Sequence, residues 1–481
     1  MAESIEVING LTGILGQECI ETKADVIAEY AVDAIIPTAV LFPENIQQVS
    51  EVVTYARREN LAIIPRGNGS KMATGNAPKR LDLVVCTSRM NHMTDVDTAN
   101  LTITVEAGVR FRDIQARLAT REGRCYLPLE DFLTEGSDAM PSDRANSGYF
   151  LPIDAPFSTS ATIGGIIACN SSGPRRLIYG PPRDIVLGVR FVAPNGEIVG
   201  TGGKTAKNVS GYDISKLMIG SLGSLGILCE ITLRLLPLPE RMETLLFSFR
   251  SFSKASAFAN RIFETQLLPA AVEVLNESAF SNLKTDYGPD FRPGDYVVAV
   301  ALEAFEKAVK RMRAEMLDMA VTAGAKSDTR IQEDQHRRFW QAVGDLIPSL
   351  SRRFSNLITV QLNYPVSEWK QLIEFADNTF STSHIEHTVL AHTGSGVCLI
   401  NVLIDQGDTP VMPRVAEAIA ALLRRCVEAG GNLVVQRAPA ELKQDLPMWG
   451  KTRPDFLVMK RISDQLDPSG IMSPGRFVGG L

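Results

Sequence analysis

Three glycine clusters interrupt the apolar runs of residues 158–227, and at such places main chain comes very close to whatever it holds. The first reads Thr162-Ile-Gly164-Gly165-Ile-Ile-Ala168-Cys169-Asn170, the second Tyr179-Gly180, and the third Gly220-Ser-Leu-Gly223-Ser-Leu-Gly226-Ile227. Glycine has no Cβ, so paired glycines bordered by Ser, Thr and Asn let N–H groups and small hydroxyls line a ligand at contact distance. A buried, extended cofactor bearing phosphates fits that surface better than a surface metabolite does. Upstream, the apolar run Leu61-Ala-Ile-Ile-Pro65 leads into Arg66-Gly67-Asn68-Gly69-Ser70-Lys71. Successive N–H groups in such a turn form a concave anion nest, to which Arg66 and Lys71 add positive charge. The spacing matches neither the Walker loop nor the Gly-x-Gly-x-x-Gly dinucleotide fingerprint.

The elements that must position these turns are mostly strands. Asp184 to Val199 reads as a hairpin, because Asn195-Gly196 supplies the two positive-φ positions of a tight turn. Residues 61–65, 81–85, 101–108 and 227–237 read as further strands. A helix begins around Pro43, with Ile46, Val49, Val52, Val53 and Ala56 at helical spacing, and a short one covers 111–118. Residues 130–157 form a polar insertion that reads as a solvated loop, with a lid or a partner-docking loop as the alternative. From 241 onward, strands at 244–249, 296–302, 357–362 and 397–404 alternate with helices at 253–265, 304–322, 333–346, 366–378 and 412–428. That pattern is an α+β domain with an antiparallel sheet.

At 481 residues the chain exceeds what one core usually serves, so two domains are expected. A formal net charge of −6 without a basic block argues against a nucleic-acid partner. No apolar run approaches a membrane span, and the acidic start Met-Ala-Glu-Ser-Ile-Glu is unlike a signal or transit peptide. A cytoplasmic enzyme is expected, reaching a membrane peripherally and through a partner. The seven cysteines are scattered singly with no Cys-x-x-Cys pair, which excludes a conventional zinc or iron–sulfur motif in this chain. Cys169, in the run Ile-Ile-Ala-Cys, reads as a small core residue.

Taken in order, the glycine motifs, Asp184, the stretch Gly202-Gly-Lys-Thr-Ala-Lys-Asn208-Val-Ser-Gly-Tyr-Asp213 and the terminal Asp467-Pro-Ser-Gly-Ile-Met-Ser-Pro-Gly475-Arg476 resemble the vanillyl-alcohol oxidase/PCMH-type flavoproteins. Within that superfamily the sequence is most similar to the FAD-binding subunits of bacterial glycolate oxidase and to D-lactate dehydrogenases. The resemblance implies an N-terminal helical segment at 1–34, a two-subdomain FAD-binding domain at 35–240, an α+β cap at 241–431, and a segment at 432–481 that returns to the first domain. It implies FAD held by Arg66, Gly67, Asn68, Gly69, Ser70, Asp154, Thr162, Gly164, Gly165, Ala168, Asn170, Tyr179, Gly180, Gly226 and Ile227. Some members tether the flavin through a His or Cys in or beside these motifs; the loop here carries Ser70 and Lys71, so non-covalent FAD is expected.

In the family's 2-hydroxy-acid dehydrogenases, a His-x-Gly-x-Gly-x-x-His stretch and a later Glu-His-Gly form a metal and base centre, and a cap arginine pairs with the substrate carboxylate. Here His392-Thr-Gly394-Ser-Gly396-Val-Cys-Leu399 keeps the first histidine alone, Val435-Gln436-Arg437-Ala438 has neither Glu nor His, and Trp340-Gln-Ala-Val-Gly344 lacks the arginine. A divalent ion needs three or more protein ligands, so no metal site is expected. His392 and Arg437 are the candidate catalytic residues, as base and as carboxylate partner, with a buried histidine satisfied by backbone and a structural ion pair as the respective alternatives; His384 and His387 read as surface residues. The pattern Arg437-Ala-Pro-Ala-Glu-Leu and Pro447-Met-Trp449-Gly450 looks more like the smaller second flavin subunit of glycolate oxidase. The resemblance thus implies oxidation of a small 2-hydroxy acid, or relay of its electrons to an iron–sulfur, second flavin or quinone-linked partner. A non-catalytic assembly subunit and a stand-alone flavin dehydrogenase for another alcohol are the alternatives, and flavin content and unassisted substrate reduction separate them.

Overall fold

The computed structural model of the chain describes residues 2–119, 125–128, 148–204, 211–285, 288–405 and 411–481. Most of the expected polar insertion, and Asn208 with it, lies outside the described residues.

Four short strands form the first sheet: β1 (Ile20–Glu21), β2 (Ala39–Leu41), β3 (Ile63–Arg66) and β4 (Leu83–Cys86), in the order β1-β2-β4-β3. The β2, β3 and β4 strands run parallel, and their near-continuous apolar sequences match burial on both faces. The helix Ile46–Arg58 covers one face; Asn45 caps it by accepting from the Gln48 N–H, and Val49, Val52, Val53 and Ala56 are buried.

The next seven strands are β5 (Met93–Asp97), β6 (Thr102–Glu106), β7 (Tyr149–Phe150), β8 (Val186–Val192), β9 (Ile198–Gly202), β10 (Ile227–Arg234) and β11 (Leu236–Pro237). Five of them make a sheet of order β5-β6-β10-β8-β9, while β7 pairs with β11. The hairpin expected from Asn195-Gly196 is β8 and β9, paired antiparallel, with Gly196 at φ 88°.

The remaining strands are β12 (Arg241–Phe249), β13 (Ala271–Asn276), β14 (Tyr296–Ala304), β15 (Ser327–Gln332), β16 (Ile358–Asn363), β17 (His387–His392), β18 (Val397–Val402) and β19 (Asn432–Arg437). They form one antiparallel sheet of order β15-β12-β14-β13-β17-β18-β16-β19. The helices Phe252–Phe263, Glu306–Ala323, Trp369–Thr382 and Met412–Glu428 pack on one face of it, through Phe247, Val274, Val300, Val360, Ala391, Ile400 and Val435 among others. Because strand side chains alternate between faces, intervening residues such as Leu246, Leu275, Val297, Ala299 and Leu390 point the other way, against the helices Glu277–Asn282, Glu333–Gly344 and Leu346–Ser351.

One difference from the expected boundaries follows from strand pairing. The β19 strand was expected to return to the first domain with residues 432–481, yet it pairs along β16 as the edge of the cap sheet. The later residues do reach the first sheet: Ile63 N–H donates to Ile471 carbonyl at 2.7 Å, and Ser473 N–H to Ile63 carbonyl at 2.8 Å.

Candidate active site

The glycine clusters converge on a groove of about 690 Å³ at the ends of β3 and β10. Arg66, Gly67, Asn68, Gly69, Ser70 and Lys71 form one wall; Thr162, Gly164, Gly165, Ala168 and Cys169 form a second; Ser221, Leu222, Gly223, Gly226 and Ile227 close it. The walls touch because Gly67 has no side chain: a Cβ there would stand 2.0 Å from the Thr162 hydroxyl. Gly226 serves the same end, its φ of 144° bringing it against the Val192 carbonyl. Thr162 caps the helix Ile163–Ala168 through its hydroxyl, and the Asn68 amide donates to the Ser160 carbonyl at 2.7 Å. Among the described residues no acceptor takes the N–H groups of Asn68, Gly69 and Ser70. These orphaned donors suit the oxygens of a diphosphate. Phe157, Asn170, Leu222 and Ser473, none of them glycine, all have positive φ around this groove, which is where strained backbone tends to collect.

The groove opens into a larger cavity of about 1210 Å³, with Lys71, Cys169 and Leu222 lining both. The cavity's far wall is the face of the cap sheet opposite the helices Phe252–Phe263, Glu306–Ala323, Trp369–Thr382 and Met412–Glu428: Leu390 and His392 from β17, Val397 and Leu399 from β18, Gln361 and Asn363 from β16, Val434 and Gln436 from β19. His392 is buried, and its Nδ1 stands 2.7 Å from Glu273 Oε1 on the adjacent strand β13. Burial pushes the Glu273 carboxyl up, and the imidazole pulls it the other way. A carboxylate behind Nδ1 fixes the ring's orientation and presents Nε2 to the cavity, the arrangement of a general base.

The positions beside His392 carry neutral groups. Gln436 donates to Gln361, and Gln361 donates to Asn363 Oδ1 at 2.6 Å. One imidazole and three amides do not fit a divalent ion, and among the described residues no three His, Cys, Asp or Glu side chains gather around a common point.

Eleven of the fifteen expected cofactor residues line the groove, and Asn170 lines the cavity. Asp154, Tyr179 and Gly180 line neither. Asp154 accepts the N–H groups of Gly173 and Arg175, each at 2.7 Å, and so pins the turn that follows the first glycine cluster. The Tyr179 hydroxyl donates to Glu303 at 2.6 Å, and Gly180 ends the helix Arg176–Tyr179 with φ 79°. Arg437 does not line the cavity either: an irregularity in β19 at Gln436 leaves Arg437 paired with Thr359, beyond the lining residues Val434 and Gln436, and burial pushes its guanidinium down. Cys169 is half-buried in the groove wall rather than in the core. His387 is buried, its Nε2 2.8 Å from Asp377, although His384 is exposed.

Sequence reasoning missed Glu273 and Arg176. The signal for Glu273 was a lone carboxylate in the alternating run Ala271-Val-Glu-Val-Leu, since an unpaired charge is not left inside an apolar strand. Arg176 enters the cavity beside Gly173 and Pro174. Its neighbour Arg175 is committed elsewhere, in a buried node between the two halves. Arg175 Nε is 2.6 Å from Glu303 Oε1, which His336 Nε2 also meets at 3.1 Å, while His336 Nδ1 reaches Thr244 at 2.8 Å. Burial opposes ionisation of Glu303, but Arg175 and the hydrogen bonds from His336 and Tyr179 outweigh it and hold the carboxyl at about 2.

A groove of main-chain turns that opens under a cap sheet carrying a buried His–Glu pair fits a cofactor-dependent oxidoreductase. Residues 37–131 and 142–202 match the family model for the FAD binding domain, and residues 238–477 match that for the C-terminal domain of FAD linked oxidases. The chain belongs to the FAD-linked oxidases, and its cofactor is FAD. Glycolate oxidase subunit GlcD of Bacillus subtilis is 27% identical over 447 residues, spanning 92% of this chain and 89% of that protein. D-2-hydroxyglutarate dehydrogenase of Xanthomonas citri pv. viticola is 26% identical over 456 residues, spanning 92% and 89%. Among solved structures, p-cresol methylhydroxylase with substrate bound shares the fold at a TM-score of 0.75 and 15% identity, covering 99% of this chain and 97% of that one. Among the described residues no helix is long and apolar enough to cross a membrane.

Proposed function

We propose that the protein oxidises a small 2-hydroxy acid, with Arg66 to Ser70 and the Thr162 to Ala168 wall holding FAD without a covalent bond. The observation that carries this reading is the buried His392–Glu273 pair facing a cavity continuous with the cofactor groove. FAD supplies the acceptor for the hydride that leaves the hydroxyl-bearing carbon. His392 Nε2 takes the hydroxyl proton; Glu273 keeps the ring's other nitrogen protonated and steadies the imidazolium. Leu390, Val397, Leu399 and Val434 of the cap sheet, with the Val343 to Ile347 segment, give the cavity apolar wall, which limits water around the proton transfer. Lost metal-ligand positions at Leu399 and Gln436 leave the imidazole as the hydroxyl's partner. The proposed route for the electrons is a separate iron–sulfur, flavin or quinone-linked protein, because the cysteines of this chain are dispersed; a relative named as a subunit supports that reading.

The test is the visible spectrum of the purified protein under anaerobic conditions during addition of glycolate, D-lactate and D-2-hydroxyglutarate. Bleaching of the bound flavin by one of them is expected. A yellow protein that stays oxidised with every 2-hydroxy acid, alone and with added partner fractions, sinks the proposal.

A further inference from the structure

The residues lining the larger cavity include two cations, Lys71 and Arg176, and no carboxylate. Such a cavity selects an anion. Lys71 also lines the cofactor groove, so its charge is shared with the dinucleotide side, and its ammonium lies 5.7 Å from the centre of the Phe157 ring. Arg176 lines the cavity alone. It is half-buried, and among the described residues it makes no ion pair and no side-chain hydrogen bond. Burial pushes its guanidinium down, opposed by Asp154 and Asp184. Asp154 is already occupied by the N–H groups of Gly173 and Arg175.

Its position relative to the base follows from packing. The helix Arg176–Tyr179 lies against β13, which carries Glu273. A Cβ built on Gly394, two residues after His392, would stand 2.8 Å from Leu177 Cδ1. Arg176 and His392 therefore enter one cavity from opposite halves of the molecule. We propose that Arg176 anchors the substrate carboxylate, from the FAD-binding side, in the role that the cap arginine absent after Trp340 has in relatives. A guanidinium pairs a carboxylate through two parallel hydrogen bonds, which leaves the 2-hydroxyl turned toward His392. The inference rests on the hydroxy-acid reading for its substrate, though the anion site stands on the cavity's own charges.

The experiment compares the wild-type holoprotein with Arg176→Lys and Arg176→Gln. Oxalate, which cannot be oxidised here, is titrated by calorimetry and by perturbation of the flavin spectrum, and anaerobic flavin reduction is followed with 2-hydroxy acids and with their neutral amides. Loss of a charge-assisted bidentate pair is expected to weaken oxalate and raise the half-saturating concentration of hydroxy acid about 10- to 100-fold in Arg176→Gln, with partial rescue by Lys. Reduction by the amides and the FAD content should change little. Hydroxy acids that reduce wild type and Arg176→Gln alike overturn the anchor and leave the function standing. Oxalate binding that depends on Arg176, in a protein that no hydroxy acid reduces, supports the anion site and overturns the function. A wild-type protein that binds no carboxylate overturns both.

Discussion

Removing the Glu273 carboxylate leaves His392 free to place its proton on either nitrogen, whereas removing His392 takes the base away. The substitutions His392→Asn and Glu273→Gln are therefore expected to slow flavin reduction by about 10²- to 10⁴-fold, the usual contribution of a positioned acid–base group. Flavin content should be unchanged, because neither residue lines the dinucleotide groove. Stopped-flow reduction checks this, and unaltered rates in both variants exclude the pair from catalysis. The neutral amides around His392 carry a second expectation. Prolonged dialysis against a chelator should leave the rate of reduction as it was, and a loss restored by a divalent ion would show that a metal binds after all.

At the scale of elements, the groove is made by turns that fit one another closely. Gly67→Ala sets a methyl group where the Thr162 hydroxyl stands, so the loop must retreat from the helix Ile163–Ala168. Loss of bound FAD is expected, read as visible absorbance per mole of protein; full occupancy would mean that the walls yield cheaply. This groove was legible in the sequence because main-chain recognition leaves a local mark, glycine beside Ser, Thr and Asn. The cavity was less so. His392 could be read from its motif, but its partner Glu273 lies on a strand that no turn signal announces and 119 residues away. The place of Arg437, outside the cavity lining, depends on an irregularity in the pairing of β19 with β16 that no local pattern in the sequence announces. Tyr179 is a cofactor contact by the resemblance alone; its hydroxyl donates to a carboxylate in the cap.

Across the whole molecule, the node around Glu303 ties the two halves together and should make their union sensitive to acid. Glu303 is held at about 2, below its ordinary 4.5, so its contribution to stability is complete above 4.5 and lost as pH falls toward 2. His336, pushed below 6.5 chiefly by burial against the pull of Glu303, is stabilising while neutral, and that contribution fades as pH falls below 6.5. The melting temperature is therefore expected to decline from pH 6.5 downward and more steeply below 4.5. Glu303→Gln should start lower at pH 7 and fall less; a variant that tracks the wild type throughout would move the acid sensitivity elsewhere. A second long tie runs from Lys443, whose buried ammonium meets Asp33 at 2.8 Å and the carbonyls of Ala73 and Gly75 at 2.8 and 3.0 Å. Lys443→Met strands the aspartate and should cost about 3–5 kcal/mol in denaturant unfolding. Arg476 grips the same stretch through the carbonyls of Met72 and Thr74. The segment just after the phosphate-facing turn is thus fastened by residues made some 370 to 404 positions later. During synthesis on the ribosome this segment lacks these fastenings until Lys443 and Arg476 have emerged, so FAD is expected to bind after, and not during, most of translation.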